Sequence, residues 1–261
     1  MKKIFPILFF TLLFLSGKTQ TIKQVAELYL KGELGKALIL SNELILKDSK
    51  SAGVNQIHGR ILADLREYDT AIYYLSKAVE IDNGKTDISG WAYGYLGQCY
   101  FMLGQYEKSK DYLSKCIKLN ATKNSVAYGK KRLFFFGYDK YFSKWKTIET
   151  KNIIFHIQNP KSFENIEYFV ETREKAFVEI QNTLGTKLPK KIDFFVWENA
   201  DEPRKKFNIN LGFADPSSVC VYSHRKQTIG HEMTHNISHY IGVNPIKTGL
   251  INEGLAIYFN M

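Results

Sequence analysis

The sequence predicts an α+β protein in two parts, an N-terminal all-α helical-repeat array followed by a small α+β domain. Two observations carry this. Short segments of the first half recur at a nearly fixed interval, as stacked helical hairpins do. After Trp145 the pattern changes to short β-rich runs interleaved with helical ones. A chain of 261 residues, 44% hydrophobic and 24% charged, is long enough for two globular units and excludes wholesale disorder or a low-complexity fibre.

Residues 1–19 read as a secretory signal peptide. Lys2 and Lys3 form a basic start, Ile4 to Leu15 an apolar run interrupted by Pro6 and Thr11, and small or polar residues follow. The run is shorter than the roughly 20 residues a membrane span needs, and no nearby cysteine offers a lipid anchor. A buried N-terminal helix or an uncleaved anchor is the competing reading. No later segment is apolar for long enough to cross a bilayer, so the mature protein is expected to be exported, periplasmic or secreted.

The repeats occupy residues 20–122. Gly32-Glu33-Leu34-Gly35-Lys36-Ala37 aligns with Arg66-Glu67-Tyr68-Asp69-Thr70-Ala71 at an offset of 34, and Gly104-Gln105-Tyr106-Glu107-Lys108-Ser109 follows 38 residues later. Small residues such as Gly59, Ala71 and Gly97 sit where paired helices approach closely. The third unit is the clearest, with Tyr93, Leu96, Gly97, Tyr100, Gly104, Tyr106, Leu113 and Ala121, while the first is degenerate, as a terminal repeat often is. The segment resembles a short tetratricopeptide array, which implies a groove for a protein partner; a generic helical-hairpin bundle is the plainer alternative. Cys99 and Cys116 fall on these helices and read as small core hydrophobes, a bridge between them remaining open.

Residues 123–146 form a basic and aromatic connector, Lys130-Lys131-Arg132-Leu133-Phe134-Phe135-Phe136 with Tyr138, Tyr141 and Phe142 beyond. Basic residues among aromatics are also found in single-strand nucleic-acid binders, but a helix docking one domain on the other explains the pattern in an exported chain. No nucleic-acid partner is expected. The 36 basic and 26 acidic residues give a net charge of +10, and residues 161–261 carry none of it, with 12 of each sign.

In residues 147–261, Asn152–Ile157 and Lys191–Trp197 read as strands and Ser218–Ser223 as a third, with a long helix from Ser162 to about Leu184 stopped by Gly185. Then comes His231-Glu232-Met233-Thr234-His235, an HExxH motif. On a helix the i and i+4 imidazoles share one face and can bind a single zinc, with Glu232 beside them as general base. Ile229, Met233, Ile237, Tyr240 and Ile241 make an apolar stripe that leaves the histidines off it. Eighteen residues after His235, Glu253 opens Glu253-Gly254-Leu255-Ala256 in a second helical pattern, and Gly242, Asn244, Pro245 and Gly249 supply the turn between them.

This pairing resembles the gluzincin zinc metallopeptidases, and most closely the peptidase MA-like domains in which a similar Asn-Glu-Gly-Leu-Ala sequence recurs. The resemblance implies a small α+β gluzincin-like metallopeptidase domain, with one Zn2+ held by His231, His235 and Glu253, Glu232 as base, and a peptide or protein substrate. It implies further that Cys220, Val221 and Tyr222 form an edge strand whose backbone pairs with the substrate. The metzincin pattern fails, with Ser238 and Ile241 where a glycine and a histidine belong. Ile257 stands where related enzymes carry an aspartate that orients a histidine, so that partner must come from elsewhere. The sequence that grips a free N-terminus in related aminopeptidases is absent. Gluzincins usually draw an oxyanion-stabilising Tyr or His from beyond the glutamate helix, and the sequence ends eight residues past Glu253; Tyr222 and Tyr258 are the remaining candidates. His239 reads as a supporting or exposed residue, His224 as a loop residue, and His58 and His156 as structural. The rival reading is a protein-interaction scaffold whose peptidase domain binds zinc and turns over little or nothing.

Overall fold

The computed structural model describes residues 21–208, 210–241 and 249–259. The leader and the Gly242, Asn244 and Pro245 turn lie outside the described residues. Among the described residues the first half is a run of seven helices: α1 (Ile22–Leu30), α2 (Leu34–Lys47), α3 (Ala52–Asp64), α4 (Tyr68–Ile81), α5 (Asp87–Met102), α6 (Tyr106–Leu119) and α7 (Lys123–Phe135). Odd-numbered helices begin at Thr21, Ser51, Thr86 and Thr122, whose hydroxyls accept from the first-turn amides. The even-numbered ones follow tight turns at Gly32 (φ 77°), Arg66 (φ 71°) and Gly104 (φ 70°), each in the left-handed region. This alternation of capped start and left-handed turn is the structural form of the sequence repeat.

Within the second and third repeats the hairpins close on glycine. A Cβ at Gly59 would lie 2.7 Å from Leu75 Cγ, and one at Gly97 would lie 2.6 Å from Leu113 Cγ, so each leucine packs directly on backbone. A small core of Val25, Ala37, Leu44, Val54, Ile57 and Ile61 holds the first repeat. The main core runs from Leu62 in α3 through the array to Phe259 at the far end of the chain.

The second half is a five-stranded mixed sheet in the order β1-β2-β3-β5-β4. The strands are β1 (Lys146–Glu149), β2 (Ile153–Ile157), β3 (Ile192–Trp197), β4 (Phe213–Asp215) and β5 (Cys220–His224). The inner pairs β2/β3 and β3/β5 are parallel, and β1 and β4 run antiparallel on the two edges. The crossover between β2 and β3 is α8 (Ile166–Leu184), ended by left-handed Gly185. A short α9 (Asp201–Phe207) precedes β4, and α10 (His231–Ser238) and α11 (Gly249–Tyr258) follow β5. The fold is therefore α+β, a helical array followed by a small mixed sheet.

The connector is not one helix. α7 stops at Phe135, Gly137 (φ 73°) turns the chain, and a 3-10 segment at Lys140–Lys144, capped by Asp139, leads into β1. Its aromatic side chains form the joint between array and sheet. Phe136 stacks on Phe101 at 3.7 Å, Phe142 contacts Phe195 at 5.1 Å, Tyr141 stacks on Trp197 at 5.4 Å and Phe135 meets Tyr222 at 5.3 Å. The opposite face of the sheet, through Phe155 and Phe194, packs on Phe169 and Arg173 of α8. Cys99, Cys116 and Cys220 are buried free thiols, and Cys99 and Cys116 are not bridged. Among the described residues no helix is long and apolar enough to cross a membrane.

Candidate metal centre

α10 buries Met233 and Ile237 completely, together with Thr234, Asn236 and Ser238. Asn236 donates its amide to the Cys220 carbonyl at 3.0 Å, which ties the helix to β5. The side left over carries His231 and His235, whose Nε2 atoms lie 3.3 Å apart. Helical periodicity alone sets that pair.

Glu253 arrives from α11. Its Oε2 is 3.6 Å from His231 Nε2 and its Oε1 is 3.6 Å from His235 Nε2. Two features hold α11 in this place. Gly230 has no side chain, so the Phe259 carbonyl lies directly on its α-carbon, and Ala256 and Phe259 are buried. Ser238 also donates to Asn252 Oδ1 at 3.1 Å. Among the described residues, this is where three metal-ligating side chains converge, with all the donor atoms within 4.8 Å of one another.

The donor set fits zinc. Bonds of about 2.0–2.1 Å at tetrahedral angles place donor atoms roughly 3.3–3.5 Å apart. The observed separations of 3.3, 3.6 and 3.6 Å approach that triangle to within a few tenths of an ångström. Two imidazoles and one carboxylate leave a fourth position for a reacting group. Burial, helped by His231 and opposed by Glu253, holds His235 below the usual histidine range, in the neutral form a metal requires. The Asn252 side chain, which accepts from Ser238, lies beside His235 and favours its charged form. Asn252 is thereby placed where it can orient the imidazole, whereas Ile257 is 64% exposed.

Glu232 sits next to this triangle in a half-buried position. Burial, and secondarily the Glu253 carboxylate, raise its pKa to about 7. A Cβ at Gly212 (φ 75°) would lie 3.2 Å from Glu232 Oε1 and would overlap the Gln227 amide. Gly212, Gln227 and Asn252 are thus parts of the site that sequence reasoning missed. The glycine carried no periodic signal, although Asn252 beside Glu253 was open to view.

Cys220, Val221 and Tyr222 do not form an edge strand. β5 is paired on both sides, by β3 and by β4, and the three residues are fully buried. The edge is β4, a three-residue strand returned by a turn in which Asp215 accepts from Ser217 and Ser218 and Val219 is left-handed (φ 56°). The Tyr222 hydroxyl donates to the Phe135 carbonyl inside the joint with the array, which removes it as an oxyanion donor. Tyr258 is 77% exposed on α11. His224 is not a loop residue but the half-buried last residue of β5, paired with Trp197, and His239 packs edge-on against Tyr240. His156 pairs with Asp193 at 2.7 Å, and His58 shares a hydrogen bond with Ser41 at 2.8 Å, both within the packed structure.

The array touches the chain just past the end of α10. Arg66, from the left-handed turn between α3 and α4, donates to the His239 carbonyl at 3.1 Å and lies 4.2 Å over the Tyr240 ring. No curated protein matches the chain. Residues 53–121, from α3 to just past the end of α6, match the Tetratricopeptide repeat family, so the helical array that carries the sheet domain contains tetratricopeptide repeats.

Proposed function

We propose that the chain couples a protein-binding repeat array to a zinc centre that hydrolyses peptide bonds, in the manner the HExxH motif and Glu253 imply. One observation carries the reading: two imidazoles from α10 and a carboxylate from α11 converge on a zinc-sized triangle beside a half-buried glutamate. His231, His235 and Glu253 would hold the ion. When bound, zinc polarises a carbonyl and makes water more acidic.

The chain's own residues supply the rest. Glu232, with a carboxyl poised near neutrality, takes a proton from the attacking water at its Oε atoms and returns it to the leaving amine. Asn252 fixes the His235 ring. The open edge of β4, which begins beside Gly212 and so beside Glu232, offers backbone groups to an extended peptide. The leader at residues 1–19 supports work outside the cytoplasm.

A second reading keeps the array and the metal but not the turnover, making the protein an interaction scaffold. The repeat match supports that reading directly, because such arrays bind protein partners. The two separate in one experiment on the purified mature chain. The expected results are about one zinc per chain, cleavage of a mixed peptide library, and a fall of roughly 10²–10⁴-fold for Glu232→Gln with the metal retained. Zinc without cleavage selects the scaffold, and absence of zinc overturns both.

A further inference from the structure

A cavity of about 380 Å³ opens between the start of α8 and the Arg225–Ile229 loop. Arg173 forms part of its lining and is only 3% exposed. Among the described residues no carboxylate pairs with this guanidinium. Its N–H groups reach only the Phe169 carbonyl at 3.4 Å and the Gln227 carbonyl at 3.1 Å, and its buried Nε–H has no partner. The Phe169 ring stacks on it at 3.5 Å. Burial without a counter-ion pulls its pKa down to about 9.

A buried, unpaired charge destabilises a fold, so its presence calls for a compensating partner. The cavity wall adds two further cations, Arg225, which donates to the Ser162 carbonyl, and exposed Lys226. Glu164, the acidic residue in the lining, is exposed and forms no ion pair with them. The remaining surface is largely apolar, with Phe163, Tyr168 and Ile229.

We infer that this cavity binds a small organic acid, with a carboxylate on the Nη hydrogens of Arg173 that the Phe169 and Gln227 carbonyls leave unused, assisted by Arg225 and Lys226, and an apolar body against the aromatic wall. The planar guanidinium fork matches a carboxylate, and the aromatic lining selects against a bare inorganic anion. The lining shares no residue with the metal-ligand triad, and Gln227 links the two sites, turning its backbone carbonyl to Arg173 and its side-chain amide towards Gly212.

The test uses the full mature chain in a chelator, so that no metal is involved. 3-Phenylpropionate, its neutral amide and inorganic phosphate are each titrated while the arginine Nε–H signals are followed by NMR. The expected result is a saturable shift of one signal by phenylpropionate, identified by its loss in Arg173→Met, with binding to that variant at least tenfold weaker. The amide should shift nothing, and phosphate should bind at least tenfold more weakly. Equal binding by Arg173→Met or by the amide overturns the site, and phosphate binding as tightly as phenylpropionate overturns its apolar half. If Arg173→Met does not fold, Arg225→Met/Lys226→Met replaces it. Unchanged affinity there also overturns the assignment, and a loss of several-fold sustains it.

Discussion

Replacing Gly212 by alanine tests whether the backbone beside Glu232 is as tightly constrained as the structure shows. At φ 75° the residue occupies the left-handed region, which costs an L-side chain about 1–2 kcal/mol. Lower entropy of the unfolded chain offsets up to about 1 kcal/mol of that. The new methyl also overlaps the Gln227 amide, whose Oε1 accepts from His224 N at 2.9 Å. Displacing that side chain forfeits a hydrogen bond worth about 1 kcal/mol. The net expectation for Gly212→Ala is a loss of about 2 kcal/mol in urea unfolding. Gly212→Asn tolerates the left-handed backbone but keeps the overlap, so it should lose about half as much. In either variant the Cβ presses on Glu232 Oε1, and that carbon meets none of the three metal ligands. Zinc content should therefore stay at wild-type level, while any peptide cleavage falls by roughly 10²-fold through misplacement of the base. Wild-type stability and cleavage in Gly212→Ala, or loss of metal in a folded variant, would refute this account of the site.

Gly97→Ala puts a methyl 2.6 Å from Leu113 Cγ and 3.2 Å from Leu113 N, so overpacking of about 1–3 kcal/mol should exceed the roughly 1 kcal/mol gained in helix propensity. The control Gly35→Ala meets nothing within 4 Å and should be neutral or stabilising in the same denaturant titration. Asn252→Ala should weaken zinc binding by about 10–100-fold, measured by competition with a chromogenic chelator, because His235 loses its orienting partner. Burial lowers the His58 pKa to about 4, below its unfolded value of about 6.5, so the unfolded chain binds more protons between those limits. The stabilisation is full above pH 6.5 and drains away on acidification towards pH 4, by roughly 3 kcal/mol at most; a pH series of unfolding free energies that is flat across this window would contradict it.

Local periodicity determined what the sequence could determine alone. The 34- and 38-residue offsets aligned Gly32, Arg66 and Gly104 as equivalent positions, and the structure shows the same left-handed turn at each because every hairpin repeats one short-range geometry. Likewise the i, i+4 spacing put His231 and His235 on one side of a helix before any tertiary contact was known. Glu253 was visible as a residue type at a plausible distance along the chain, but its position relative to the histidines is tertiary, since it depends on Gly230 admitting the Phe259 carbonyl. The edge of the sheet was misplaced for a related reason. A strand of three residues, Phe213–Asp215, has too few side chains to show alternation, and only its pairing with β5 makes it a strand at all. Arg173 shows the same limit, reading as one more charge on an amphipathic helix until the cavity wall and the missing counter-ion are seen together. Spacing along a chain encodes contacts within a turn or two of helix, whereas burial, edges and unpaired charges arise from segments that meet only when the fold closes.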